Sequence, residues 1–137
     1  MQQQFKVFKI IHIALVIGLI LAYIVLNNNS IDIKNLSFPK VNSEDLFYAL
    51  IPLIAYFISQ LLYKQLISKI DTTQDQQQIL LNYQSANIAR WAIIEGAAFL
   101  ILILKPEFIL FGCILIIYLA LLHPTEYKYK RDLNLFS

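Results

Sequence analysis

Five polar residues stand where their surroundings are apolar and their chemistry could matter: Glu95, Gln60, Tyr118, His12 and Tyr56. A carboxylate among hydrocarbon side chains can hold a proton or a cation, and a phenol, an amide or an imidazole can relay or stabilise it. Glu95 is the one carboxylate inside an apolar block. It lies five residues past Arg90, roughly 7–8 Å deeper at helical rise, and about 140° away around the helix, so Arg90 is a poor partner for it. Gln60 lies four residues inward from Lys64, His12 three from Lys9, and Tyr118 five from His123. These shared depths predict a polar layer joining Glu95 to Gln60, Tyr118 and either His12 or Tyr56. Such a layer could satisfy buried polar groups and fix helix register, bind a proton or cation, or arise by chance. Ala92 and Gly96 form a small-xxx-small pair, extended by Ala97 and Ala98, that suits close helix packing. Glu95, spaced helically with Asn87, Trp91 and Ala98, is expected to face a neighbouring helix rather than lipid.

The elements that carry these residues are four apolar blocks at residues 10–26, 46–62, 88–104 and 108–122. The composition is 58% hydrophobic and 15% charged, against roughly 45–50% and about 25% for a soluble domain. A helix in water carries a polar stripe on every turn, and these blocks do not. A chain of this length also has too little polar surface to cover four such helices in water. The predicted fold is therefore an all-α integral membrane bundle of four transmembrane helices, in one domain. Its spans are about residues 8–26, 46–67, 86–104 and 107–122, each approaching the ~20 residues needed to cross hydrocarbon. A loop follows over 27–45 outside, another over 68–85 inside, and a tail over 123–137 inside. Lys6 and Lys9 before the first block imitate a secretory leader, but no small-x-small cleavage pattern follows Tyr23, so an uncleaved span is expected.

Lys and Arg orient the bundle. With the N-terminus inside, the inner side collects Lys6, Lys9, Lys64, Lys69, Arg90, Lys128, Lys130 and Arg131, whereas the outer side keeps Lys34, Lys40 and Lys105. That bias predicts both termini inside. Arg90 and Trp91, with Lys128, Lys130 and Arg131 in the tail, are expected at the interface among lipid headgroups. Thr73 and Gln76 fit a capping box, so the third helix should start near there and protrude, with Ile79, Leu80 and Tyr83 forming an apolar strip. The strip would lie on the membrane surface or dock a partner. Lys105, Pro106 and Glu107 form a turn short enough to force the last two spans antiparallel.

A net charge of +2 argues against nucleic acid as a partner, and the lone Cys113 permits no internal disulfide. No phosphate loop, paired-Cys metal spacing or nucleophile elbow occurs. His12 and His123 stand too far apart in sequence to be claimed as a ligand pair. Neither enzyme activity, nor a metal, nor a cofactor is predicted.

Residues 83–98, with Arg90, Trp91, Ala92, Glu95, Gly96, Ala97 and Ala98 at their centre, resemble a segment of small bacterial membrane proteins, notably from the Bacteroidota. Those proteins share an Arg/Trp-Ala-x-x-Glu-Gly-Ala-Ala core in the third span and a tail ending in Asp-Leu-x-Leu, matched here by Pro124 and by Asp132, Leu133 and Leu135. The resemblance covers the C-terminal half best and implies a bacterial cytoplasmic (inner) membrane, without an activity to transfer. A second similarity is to the rotor-ring subunit of ATP synthases, a hairpin with a proton-binding carboxylate in its second helix; the glycine-rich first helix of that family is missing here. The expected protein is a noncatalytic membrane bundle that self-associates or serves a larger complex, with lipids as its surroundings. The alternative is proton or cation translocation through Glu95.

Overall fold

The computed structural model describes residues 2–26, 42–104 and 108–135. Among these residues five helices follow one another: α1 (Gln2–Leu26), α2 (Leu46–Ser68), α3 (Gln76–Leu104), α4 (Ile109–Leu121) and α5 (Glu126–Asp132). No strand occurs among the described residues. Most of the expected outer loop and the whole turn at 105–107 lie outside the described residues.

α3 is the hub, with α1, α2 and α4 packed around it. Its buried face runs the length of the helix, through Leu80, Asn87, Trp91, Ile94, Ala98 and Ile101. The helix starts later than a cap at Thr73 would place it. The side chain of Asp75 accepts from the Gln78 amide at 2.9 Å, while the Thr73 amide and hydroxyl are both engaged by Asp71 at 2.9 and 2.6 Å. Asp75 thus ties down a first-turn amide, and the Thr73 hydroxyl is already used in the turn. Ile79, Leu80 and Tyr83 are buried within the bundle rather than offered as a strip on its surface.

The bundle is apolar outside. Ile10, Ile17, Leu21, Leu53, Leu61 and Ile117 are each about half exposed or more, whereas His12, Ser59, Asn87 and Arg90 are buried. This inversion suits a hydrocarbon solvent, which gains nothing from a polar exterior and leaves polar groups to find partners inside. α1, α2 and α3 are long and apolar enough to cross a membrane. α4 is shorter. Its 13 residues reach about 20 Å, against a hydrocarbon core of about 30 Å. It counts as a fourth span only together with α5, from which it is bent by 88°. Pro124 enforces the break, because it can neither donate to the helical ladder nor accept a helical residue before it.

The tail forms α5 and packs back on the bundle, with Tyr129 2% and Leu133 8% exposed. Thr125 caps it, accepting from the Lys128 amide at 3.1 Å. Phe5 meets Tyr129 edge-on at 5.5 Å, so the first turns of α1 and the end of the chain share one end of the bundle.

Candidate functional site

Polar side chains concentrate at that shared end. On α3 the positions 83, 87, 90 and 91 follow helical spacing and point into the bundle. The Arg90 guanidinium donates to Asn87 Oδ1 at 2.6 Å, and the Asn87 amide donates to the Tyr83 carbonyl at 3.0 Å. The guanidinium carbon lies 3.7 Å above the centre of the Tyr63 ring, a cation–π contact of the kind strengthened by desolvation. The Tyr63 and Tyr83 hydroxyls both donate to Asp132 Oδ2, the latter at 3.1 Å. Asp132 Oδ1 accepts from Arg131 Nε and Nη2, each at 3.1 Å. One carboxylate therefore ties α5 to α2 and α3. The same pairing raises the Arg131 pKa, whereas burial, followed by Arg131 and Arg90, lowers that of Lys128. Lys128 Nζ donates to the Leu121 and His123 carbonyls at 3.0 and 2.9 Å, capping the end of α4 with a cation.

An Asp132→Ala variant should free α5, since two tyrosine hydroxyls lose their acceptor at about 1–3 kcal/mol for each donor left unmet. A loss of ~2 kcal/mol raises the open population roughly 30-fold. Limited trypsin digestion should then cut faster at Lys128 and Lys130 by about that factor, with cleavage at Lys69 unchanged.

A second polar pair joins α1 to the end of α4. His12 Nε2 lies 2.7 Å from the Leu119 carbonyl, which can only accept, so Nε2 carries the proton. Nδ1 of His12 is then bare and accepts from His123 Nδ1 at 3.2 Å. Burial, then Lys9 and Lys128, lowers the pKa of His123, in keeping with a neutral pair. The Trp91 ring covers His12 at 4.7 Å and stacks on Phe8 at 5.2 Å.

The residues expected in one layer fall into separate groups. Gln60 donates to the Tyr118 hydroxyl at 3.1 Å and Tyr56 packs edge-on to Tyr118 at 5.3 Å, so these three meet between α2 and α4. His12 belongs with His123 instead. Glu95 joins neither group; it is half-buried at the border of α3's outward face, between exposed Ala92 and Gly96. No hydrogen bond or ion pair involves it among the described residues. Among the described residues no helix supplies a polar partner on the side where a neighbouring helix is expected.

Two further placements bear on the sequence reading. Arg90 is 8% and Trp91 0% exposed, and both lie against aromatic rings contributed by other helices. Of the tail cations, Lys130 is exposed, Arg131 pairs with Asp132, and Lys128 is turned back onto α4. The histidines, remote in sequence, are neighbours because the packing of α1 beside the end of α4 brings their rings to 5.2 Å. Asp132 entered the sequence reading only through the resemblance of the tail; nothing in its spacing marked it as the acceptor for two tyrosines. Asn87 did lie on the helical stripe through Trp91. Among the described residues no group of three or more His, Cys, Asp or Glu side chains could hold a metal ion.

Among the described residues the fold and the site define an all-α bundle with three, or with the bent pair four, helices long and apolar enough to cross a membrane and a polar core at one end. No protein-family model, curated protein or solved structure matches the chain.

Proposed function

We propose that this is a noncatalytic bundle of a bacterial cytoplasmic membrane, with both termini inside, that works by receiving a partner's transmembrane helix on its Ala92/Gly96 face. The Lys and Arg distribution supports the orientation, and the packing of Phe5 on Tyr129 supports a common side for the two ends. The single observation that carries the reading is Glu95. Its carboxylate has no partner among the described residues, and Ala92 and Gly96, which flank it on α3, line an apolar groove of about 600 Å³ together with Ile51, Ala55, Ile58 and Leu100, a groove of which Glu95 is not itself a wall. A charged residue near the centre of a span costs ~2.5–3.5 kcal/mol on insertion scales, and a donor on an incoming helix would offset part of that. Small residues along the groove let such a helix approach closely; nothing lies within 4 Å of a Cβ built on Gly96. The fitting partner is a transmembrane helix bearing a hydrogen-bond donor level with Glu95, and a second copy of this chain is one outcome of the test.

Gly96→Leu puts a large side chain into the groove from a position where nothing lies within 4 Å of an added Cβ. It should abolish co-purification of the partner in mild detergent while leaving the fold intact. Glu95→Gln should weaken the complex roughly 5–30-fold, from the ~1–2 kcal/mol that model peptides give for an interhelical hydrogen bond in lipid. A protein that remains solitary after crosslinking in its native membrane would sink the proposal. The same unpaired carboxylate favours a second reading, proton or cation passage through Glu95. Liposomes separate the two: loss of proton flux in Glu95→Gln supports passage, and absence of any flux in the unaltered protein rejects it.

A further inference from the structure

We propose that the cleft between α2 and α4 binds an anionic phospholipid, with its phosphate on Arg90, Lys64 and Arg131 and an acyl chain in the apolar groove that continues from them. This face differs from the Ala92/Gly96 groove, and the inference needs only that the chain sits in a bilayer.

The head of the site is a cavity of about 450 Å³ whose lining includes Lys64, Arg90, Arg131, Asp132, Gln60 and Tyr118. Asp132 is already engaged there by Arg131 and by the Tyr63 and Tyr83 hydroxyls. Arg90 is the residue that needs explaining. It is 8% exposed, its partners are the neutral Asn87 and the face of Tyr63, and its Nε has no acceptor. No carboxylate among the described residues pairs with it. A buried guanidinium without a counter-ion is unfavourable, and a phosphate supplies the acceptor geometry that an Arg fork matches best. Lys64 and Arg131, both exposed at the rim, add positive charge around the same opening.

The tail of the site is a second, apolar cavity of about 340 Å³ between the same two helices, with Leu53, Tyr56, Phe111 and Ile114 on its walls. Tyr118 lines both cavities. Along α2 the line from Ser68 through Lys64, Gln60 and Tyr56 to Pro52 advances four residues at a time, so head and tail lie on one stripe. The Gln60–Tyr118 hydrogen bond sits where they join and offers polar contact at the level of an ester linkage. A cationic pocket leading into a hydrocarbon groove fits an amphiphile. A free phosphate would occupy the head alone.

The full-length protein in mixed micelles, titrated with phosphatidylglycerol or phosphatidylcholine of equal chain length and read by native mass spectrometry, tests this. Each cation near a lipid phosphate contributes roughly a fivefold preference, so Lys64→Glu, which changes the charge by two, should cut phosphatidylglycerol retention roughly 25-fold. Lys6→Glu makes the same charge change at an exposed position on α1 and should leave retention unaltered. Leu53→Trp, also exposed, should fill the groove and lower retention. Equal retention of the two lipids, equal losses in the two Glu variants, or indifference to Leu53→Trp would overturn the assignment. Displacement of the lipid by millimolar inorganic phosphate would assign the head to a free anion instead and overturn the lipid reading.

Discussion

Trp91→Ala should destabilise the bundle by about 3–5 kcal/mol, the range for truncating a large buried aromatic residue. Trp91 is 0% exposed and fills the space between α1 and α3, stacked on Phe8 and laid against His12. Removing the ring leaves His12 without its wall and opens a cavity beside the histidine pair. Its indole N–H has no acceptor, so no hydrogen bond is lost with it. That detail gives a sharp control: Trp91→Phe, which keeps a ring and discards an unmet donor, should cost under ~1.5 kcal/mol. Denaturant titration in detergent, followed by helical circular dichroism, checks both values. A small effect of the alanine variant would mean that α1 is held chiefly by other contacts.

The second large effect comes from the addition of one methyl group. A Cβ on Gly112 would collide with the Tyr23 hydroxyl oxygen, with ring atoms Cε2 and Cζ only 2.7 Å away. Tyr23 cannot swing aside freely, because its hydroxyl donates to the buried Ala98 carbonyl at 2.6 Å and so ties α1 to α3. Gly112→Ala should therefore combine overpacking, about 1–3 kcal/mol, with a disrupted buried hydrogen bond of about 1–3 kcal/mol. Tyr23→Leu should relieve much of it, and a double-mutant cycle should show coupling within the ~0.5–3 kcal/mol seen for touching residues. Gly18→Ala and Gly96→Ala are the contrast. Nothing lies within 4 Å of either new Cβ, and helix propensity favours alanine by about 1 kcal/mol. Additive behaviour of the Gly112 and Tyr23 changes would show that the ring and the helix do not meet as described.

The ends of the apolar elements were legible because they depend on local facts. The polar tract around residues 68–78 separates α2 from α3, and Pro124 stops α4, whatever surrounds them. Placing Glu95 was harder. The spans are apolar nearly all round, so nothing in them marks which side turns inward. Matching depths along separate helices did bring Gln60 to Tyr118, but depth says nothing of rotation, and Glu95 at a similar level turned to the outward edge. The burial of Arg90 was hidden for a related reason: a cation near a helix end reads as exposed unless an aromatic face from another helix is known to cover it.

Composition and hydropathy were thus enough to determine that this is an all-α chain with long apolar helices, and charge bias was enough to propose their direction. Those properties follow from transfer into hydrocarbon and from backbone hydrogen bonds made within each helix, which need no neighbours. The tertiary structure alone decided that His12 meets His123, that Asp132 pins α5 beneath Tyr63 and Tyr83, and that Arg90 is buried without a counter-ion. Each of these depends on the rotation and crossing of separate helices, which side-chain packing selects and which no single segment specifies.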